Sequence, residues 1–309
     1  MKISIITPHF NDFEGIKQTH NCLLKQDSDQ WEWIIVDDCS DILVRESLKK
    51  YFKEHQSSNI QLIFNDEKTN GSVCRNNGVD QVANESLVFL DSDDIISEDF
   101  VRNRSIKVED FVVFKNFNIL DEKGNNKPAP TASSNYLDHF LQAKFIWQTT
   151  AILWDKSFLI EIGKFNPDLK RLQDIELSIR ALILSNNYKV IDNKVDFFYC
   201  VAPIDIKKRP VRVTCESVNY LITNLHVNFK LDTHQRSLMK GYYFWCIRYL
   251  YKSKAKDDII YVKKSLRLFY TNKYFSFYSY LRGLAFLKLY AFNLISGDLF
   301  IRLNRYFYK

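Results

Sequence analysis

The chain has 309 residues, 46% of them hydrophobic and 26% charged, which excludes a disordered or fibrous protein and allows one large domain with an appendage. Its six cysteines form no Cys-x-x-Cys pair and no zinc-spaced cluster with histidine, so reduced thiols in a cytosolic protein are the simplest account. The net charge of +6 conceals an asymmetry, because residues 235–309 carry 15 Lys/Arg and 3 Asp/Glu, which leaves residues 1–234 at −6.

The N-terminal apolar run is too short for the hydrophobic part of a signal peptide and ends at Pro8. No stretch reaches the roughly 18 uncharged apolar residues of a membrane span. The nearest, residues 284–295, contains Lys288. We therefore expect a cytoplasmic protein that does not cross a membrane.

Strands and helices alternate through the first 91 residues. Predicted strands cover 3–7, 31–36, 60–64 and 86–91, and predicted helices cover 13–25, 43–55 and a segment that contains Arg75 and Asn76. Such alternation requires crossover connections and therefore predicts a parallel sheet. The polar strand ends at 7–11, 37–38 and 91–94 should then lie along one rim.

After Asp94 the alternation is less regular. We predict strands at 111–120, 146–154, 189–191 and 195–201, a loop at 122–134 and a helix at 172–184. Prolines and charges place a domain boundary near 203–210, so the prediction is an α/β domain at 1–205 and a helical region at 206–309.

The strand that begins at Ser86 ends in three carboxylates, Asp91, Asp93 and Asp94. Like charges this close repel one another unless a cation lies among them, so this strand end is a candidate metal site. The alternative is a solvated turn that caps the following helix, because Asp and Ser are common in turns and at helix N-termini.

Asp37 and Asp38 follow a second strand, where an acidic side chain can hydrogen-bond a nucleoside. The chain has neither the glycine-rich dinucleotide fingerprint nor a Walker loop. Phosphates would therefore need a metal on the 91–94 cluster and cations such as Arg75. This combination favours a nucleoside diphosphate held by a divalent ion. Asp38 could instead be a turn residue and Arg75 a surface ion pair.

Five segments, in order and at matching spacing, resemble the family 2 glycosyltransferases with the GT-A fold, over roughly residues 1–200. They are the opening strand and turn at 3–11, Val36-Asp37-Asp38-Cys39-Ser40, the helix with Arg75-Asn76-x-Gly78, the Asp-x-Asp motif Asp91-Ser92-Asp93, and Gln173-Asp174-Ile175-Glu176-Leu177-Ser178-Ile179-Arg180. The departures are His9, Phe10, Cys39 and Gln173, which stand where the family has Val, Tyr, Gly and Glu.

The resemblance implies an α/β GT-A domain with a mostly parallel sheet, followed here by a helical C-terminal region. It implies an inverting enzyme that uses Mn²⁺ or Mg²⁺ and a UDP-linked or other nucleotide-sugar donor. Asp174 would be the base, with Glu176 as the alternative. The other implied positions are, for the nucleotide, Thr7, Pro8, Phe10, Asn11, Asp38, Arg75 and Asp91; for the metal, Asp91, Asp93 and Asp94; and for the acceptor side, Trp147 and Asp94.

Residues 235–309 contain 21 of the 46 Phe, Tyr and Trp residues, interleaved with the basic residues. This pattern favours an anionic membrane surface. Nucleic acid is the rival that we set aside, and a helical cap or homodimer interface is the structural alternative. Together with the resemblance, it suggests transfer to a saccharide or a lipid-linked saccharide at the inner face of the cytoplasmic membrane in surface-polysaccharide synthesis. A sugar nucleotidyltransferase and a non-catalytic adaptor are the other hypotheses.

Overall fold

The computed structural model describes residues 1–201, 211–251 and 253–307. The chain forms two compact units, the first of Met1–Ala132, Ile146–Pro167 and Arg180–Pro203, the second of Ser133–Phe145, Asp168–Ile179 and Ile204–Lys309. The boundary predicted at 203–210 lies outside the described residues.

Eleven strands belong to the first unit, within the described residues. They are β1 (Ile3–His9), β2 (Trp31–Asp37), β3 (Ile60–Phe64), β4 (Ser86–Phe89), β5 (Ile95–Ile96), β6 (Phe111–Phe114), β7 (Asn118–Asp121), β8 (Asn126–Pro128), β9 (Ile152–Asp155), β10 (Lys189–Ile191) and β11 (Phe197–Val201).

The described part of the chain has thirteen α-helices. They are α1 (Phe13–Leu24), α2 (Ile42–Glu54), α3 (Gly71–Gln81), α4 (Phe100–Arg104), α5 (Tyr136–Leu141), α6 (Lys156–Glu161), α7 (Gln173–Leu184), α8 (Val211–Asn228), α9 (Thr233–Leu238), α10 (Lys240–Leu250), α11 (Lys256–Thr271), α12 (Phe277–Ala291) and α13 (Gly297–Phe307).

The main sheet has seven strands in the order β10-β6-β9-β4-β1-β2-β3. Every pair is parallel except those of β9, which runs antiparallel to β4 and β6. A four-stranded sheet has the order β5-β11-β7-β8. The predicted α/β architecture with a mostly parallel sheet and a helical C-terminal region is confirmed.

Strand β1 continues through Pro8 to His9, whereas the sequence predicted that Pro8 would end it. The register with β2 extends to His9, but pairing with β4 stops at Ile6. Alternate residues of a strand face the same neighbour, so Pro8 faces the β4 side, beyond the end of that strand. Its missing N–H therefore costs no ladder hydrogen bond.

Two other predictions are corrected by the second sheet. The strand predicted at 111–120 is β6 in the main sheet followed by β7 in the smaller one, and the loop predicted at 122–134 contains β8, which pairs with β7. The strand predicted at 146–154 begins only at Ile152, after a 3₁₀ turn at Thr149–Ala151. Trp147 therefore lies in the preceding irregular segment.

In the second unit, many aromatic residues of the basic segment form the helical core. Tyr242, Tyr243, Phe269, Tyr290 and Phe300 are each at most 1% exposed. They cannot contribute to a surface. None of the helices described is long and apolar enough to span a bilayer.

Candidate active site

The carboxyl ends of β1, β2 and β4 lie side by side, because the three strands are parallel neighbours. His9 Nδ1 lies 2.7 Å from Asp37 Oδ1, and the Asp12 amide donates to His9 Nε2 at 3.0 Å. Because Nε2 accepts a hydrogen bond, the ring proton is on Nδ1, which donates to Asp37. This buried pair joins the ends of β1 and β2.

Asp38 is 3% exposed and accepts hydrogen bonds from the residues after β3. Its Oδ1 accepts from the Thr69 amide at 2.8 Å and from Thr69 Oγ1 at 2.5 Å, and its Oδ2 lies 2.5 Å from Lys68 Nζ. Burial raises the pKa of Asp38, but the contacts with Lys68 and Thr69 outweigh it, so the pKa lies below its usual value. Asp38 is an ionised acceptor held in a fixed orientation.

Phe10 presents its ring beside Asp38. The ring is 47% exposed, and Lys68 Nζ lies 3.3 Å from its centroid. Asn11 and Cys39 both have positive φ, 52° and 58°, so both loops turn sharply where the strands end. The Asn11 amide donates to Ser40 Oγ at 2.8 Å, and the Asp41 amide donates to Asn11 Oδ1 at 2.8 Å. These bonds tie the two loops into one rigid surface.

Arg75 reaches the end of β4 from α3. Its Nη2 lies 2.5 Å from Asp91 Oδ1, and its guanidinium carbon lies 5.2 Å from the ring centroid of Phe165. The Asn76 side chain donates to the Phe165 carbonyl oxygen at 2.8 Å and accepts from the Phe165 amide at 2.9 Å. The α3 motif therefore positions both the cation and the aromatic ring beneath it.

Asp93 follows Asp91 and is exposed to solvent at the rim. Partial burial of its carboxyl and the nearby charges of Asp91 and Asp12 raise its pKa to about 6. Asp12 Oδ2 accepts from Ser92 Oγ at 2.7 Å, which fixes the turn between the two carboxylates. Negative charge at this rim is therefore only partly compensated by Arg75.

Asp94 has a different environment. It is 1% exposed, and its two oxygens accept from Thr150 Oγ1 at 2.9 Å and the Cys200 amide at 3.1 Å. Burial and the charges of Asp91 and Asp93 raise its pKa well above the usual value. Asp94 joins the end of β4 to the 3₁₀ turn and to β11. Its assignments to the metal and the acceptor side stay predictions.

Two other predicted residues face inward. Thr7 is fully buried, and its Oγ1 accepts from Trp33 Nε1 at 2.9 Å, so this hydroxyl serves the core. Trp147 is 3% exposed. Pro8 is half-buried near the end of β1. A nucleotide role for Thr7 or Pro8 and an acceptor role for Trp147 remain predictions.

Asp174 and Glu176 belong to the second unit, in the first turn of α7. Asp174 is half-buried, whereas Glu176 is 1% exposed and lies 3.4 Å from Asn224 Nδ2. Burial and the charge of Asp174 raise the pKa of Tyr242 well above its usual value. The structure thus gives the two acids different access to solvent.

Four residues of this surface were absent from the sequence-based set: Asp12, Lys68, Thr69 and Phe165. Lys68 and Thr69 lie in the loop after β3, where Thr69 is 31 residues after Asp38. Phe165 lies 89 residues after Asn76. Only the folded chain brings these distant positions together. Among the described residues, no group of three or more His, Cys, Asp or Glu could hold a metal by itself.

Comparison with known proteins gives a match to the model of Glycosyl transferase family 2 over residues 4–165 of the 309. The amylovoran biosynthesis glycosyltransferase AmsB of Erwinia amylovora is 25% identical over 215 residues, which are 65% of this chain and 70% of AmsB. The poly(ribitol-phosphate) beta-N-acetylglucosaminyltransferase TarS of Staphylococcus aureus (strain MW2) is 24% identical over 215 residues, 64% of this chain.

The chain spans 35% of the length of TarS and 36% of another curated relative. A crystal structure of S. aureus TarS 1-349 in complex with UDP-GlcNAc has a TM-score of 0.62 and 17% identity, and the match covers 99% of this chain and 91% of that one. At this identity the likeness concerns the fold.

Proposed function

Because the chain belongs to glycosyl transferase family 2, we propose that it transfers a sugar from a nucleotide donor to a saccharide hydroxyl. The observation that carries this proposal is the rim where Asp38 and Phe10 lie on one side and the Arg75–Asp91 pair and Asp93 on the other. A carboxylate acceptor beside an aromatic ring suits a nucleobase, and a cation beside carboxylates suits a diphosphate.

In this proposal the Asp38 carboxylate accepts from the nucleobase while the ring of Phe10 packs against it. Lys68 must then share Asp38 or move aside, since its ammonium contacts both groups. UDP is the first nucleotide to test, because a structure with this fold was solved with UDP-GlcNAc.

A divalent ion fits the residues present. Mg²⁺ is commonly bound by one or two carboxylates together with substrate phosphates, so a three-ligand protein cage is not required. Asp91 and Asp93 would hold it, since both reach solvent at the rim, whereas Asp94 is only 1% exposed. Burial and the neighbouring charges of Asp91 and Asp12 raise the pKa of Asp93, and such an ion would balance that negative charge. When bound, Mn²⁺ or Mg²⁺ would supply positive charge toward the leaving diphosphate.

We propose Asp174 as the base that takes the acceptor hydroxyl proton while that oxygen attacks the anomeric carbon, with inversion. A base must come within hydrogen-bond reach of its substrate. Asp174 retains partial exposure and Glu176 does not, so the access of the two side chains supports Asp174.

The names of the relatives supply the cellular setting of the proposal. AmsB and TarS are named for amylovoran biosynthesis and for poly(ribitol-phosphate) glycosylation, so we propose synthesis of a bacterial surface polysaccharide, with a saccharide or lipid-linked saccharide as acceptor. We also propose peripheral attachment to the inner face of the cytoplasmic membrane through the second unit. Its α12 begins with exposed apolar side chains, Phe277, Tyr278 and Leu281.

The test is donor binding and hydrolysis by the full chain. UDP or a UDP-sugar with Mn²⁺ should raise the melting temperature, and Asp93→Asn should abolish the metal-dependent part of this increase. Asp66→Asn is the matched control, because Asp66 is an exposed carboxylate after β3. Equal stabilisation of Asp93→Asn in chelator would reject the metal site.

Sugar transfer or donor hydrolysis would separate the proposal from its two rivals. A sugar nucleotidyltransferase would release pyrophosphate from a nucleoside triphosphate, and an adaptor would turn over neither substrate.

A further inference from the structure

A small open cleft lies beside α10, entirely within the second unit. Its volume is about 190 Å³, and its walls are the side chains of Phe244, Trp245, Arg248 and Arg305 and the turn at Gln142 and Ala143. None of these residues belongs to the rim described above. The cleft combines two cations with two aromatic rings.

The floor of the cleft is fixed by backbone packing. A Cβ on Gly241 would lie 2.1 Å from the Gln142 carbonyl oxygen, so only glycine lets α10 approach this turn so closely. Ala143 has a φ of 57°, and its amide donates to the Phe140 carbonyl at 3.0 Å. The cleft is therefore a fixed feature of the fold.

Among the residues that the structure describes, the two guanidinium groups have no acidic counterpart nearby. Within the described ranges, no carboxylate lies at ion-pair distance from Arg248 or Arg305, and both side chains are exposed. The Arg305 guanidinium carbon lies 5.9 Å from the centroid of the Phe244 ring. Arginine in such a setting binds carboxylates and phosphates through paired N–H donors.

Trp245 supplies a firmly held aromatic wall. Its ring lies edge-on to Phe145 at 5.1 Å and 5.9 Å from Tyr249, and the residue is only half-buried. Tryptophan is amphipathic, so a half-buried ring can pack on the apolar face of a sugar while its neighbours donate hydrogen bonds. The ring and the arginines thus complement an acidic sugar.

We infer that this cleft binds one anionic unit, a sugar that bears a carboxylate or a phosphate, of the saccharide chain being extended. Sites that enclose a whole ligand measure roughly 300–1,000 Å³, so this smaller cleft holds one group of a longer molecule. The inference rests on the proposed function and names the chemistry of its acceptor. A second point of attachment raises affinity for a long acceptor without touching the reacting atoms.

The test measures binding of three probes to the full chain: trigalacturonate, ribitol phosphate and the neutral maltotriose. The unsubstituted chain should bind trigalacturonate or ribitol phosphate more tightly than maltotriose. The Arg248→Gln/Arg305→Gln double variant should lose about tenfold or more of that affinity, as expected for charge-assisted hydrogen bonds. Arg267→Gln, an exposed arginine on α11, is the matched control and should bind normally.

The anionic probe that responds to the double substitution identifies the charged group. The inference would be overturned if maltotriose bound as tightly as the anionic probes. It would also be overturned if Arg267→Gln lost as much affinity as the double variant. A double variant that kept saccharide binding but lost binding to phosphatidylglycerol vesicles would overturn it as well, because the arginines would then serve a lipid surface.

Donor hydrolysis is measured in parallel and should be unchanged in the double variant. In a transfer assay the KM for a long anionic acceptor should rise while kcat stays constant. If the unsubstituted chain did not hydrolyse any donor, the proposed function would be rejected. The binding experiment reports on the cleft independently of that result.

Discussion

At the residue scale, Asp38 shows how one buried carboxylate joins stability to ligand recognition. Its ordered partners, Lys68 and Thr69, hold its pKa below the usual value. The folded state therefore gains stability from ionised Asp38 above the unfolded pKa, and this contribution disappears as the pH falls through the lowered folded value. The charge that holds Lys68 and Thr69 against the end of β2 is thus also the proposed acceptor for the nucleobase.

Asp38→Asn should lower the free energy of unfolding near neutral pH by about 1–3 kcal/mol, because Lys68 and the Thr69 groups lose a charged acceptor. The difference from the unsubstituted chain should shrink as the pH falls below about 4, where the native carboxyl also becomes neutral. Urea unfolding over a pH series measures this, with Asp29→Asn as an exposed control. A pH-independent difference would contradict the linkage.

Asp174 and Glu176 can be separated by isosteric substitutions. Asp174→Asn removes the proposed proton acceptor and should reduce kcat by roughly 10²- to 10⁴-fold. Donor affinity should be nearly unchanged, because Asp174 has no part in the proposed donor site. Glu176→Gln is the matched variant and should retain most activity. Steady-state kinetics of the two variants distinguishes the two candidate bases. The reverse pattern would make Glu176 the base.

At the scale of elements, helix α3 must lie very close to β1 to bring Arg75 to Asp91. A Cβ on Gly78 would lie 2.4 Å from Ile6 Cγ2, and Ile6 is fully buried in β1. A β-branched side chain inside a sheet has few alternative rotamers, so it cannot move away. The glycine of the Arg75-Asn76-x-Gly78 motif is therefore a packing requirement.

Gly78→Ala should destabilise the protein by about 1–3 kcal/mol through overpacking, although alanine is the better helix former. It should also weaken nucleotide binding, since α3 carries Arg75. Gly283→Ala in α12 is the control, because the atom nearest to the added Cβ is the end of the Leu266 side chain, at 2.9 Å. Denaturant unfolding of both variants checks this, and equal costs would refute the packing argument.

At the scale of the whole molecule, the basic C-terminal segment exposes fewer aromatic residues than its sequence suggested. Much of the aromatic content is core, but Phe277 and Tyr278 remain 53% and 74% exposed at the start of α12, and Phe292 is 72% exposed just after its end. The basic residues Lys273, Arg282 and Lys288 lie on the same stretch of chain and are exposed.

The full chain should float with vesicles that contain phosphatidylglycerol and be partly released by salt, since each surface Lys or Arg contributes about 1 kcal/mol and salt screens it. Phe277→Ser/Tyr278→Ser should remove the part that resists salt. Ile42→Ser/Leu43→Ser, at exposed positions of α2 in the first unit, is the matched control. Equal flotation with neutral vesicles would argue against the charge-based attachment.

The sequence by itself determined the alternation of strands and helices and the clustering of polar strand ends at one rim. These follow from local periodicity and from the geometry of parallel strands, which β1, β2 and β4 obey. The motifs also identified Asp38, Arg75, Asp91 and Asp93 as neighbours of that rim. Local pattern was sufficient because each of these residues directly follows a strand or lies on the next helix.

Only the tertiary structure decided which polar groups remain available. Thr7 and Asp94 belong to the same sequence motifs as their neighbours, yet Trp33, Thr150 and Cys200 occupy their polar atoms. Contacts such as Lys68 with Asp38, or Arg248 and Arg305 in one cleft, join positions far apart in the chain. No periodicity encodes such pairs, because burial and long-range packing are properties of the folded chain as a whole.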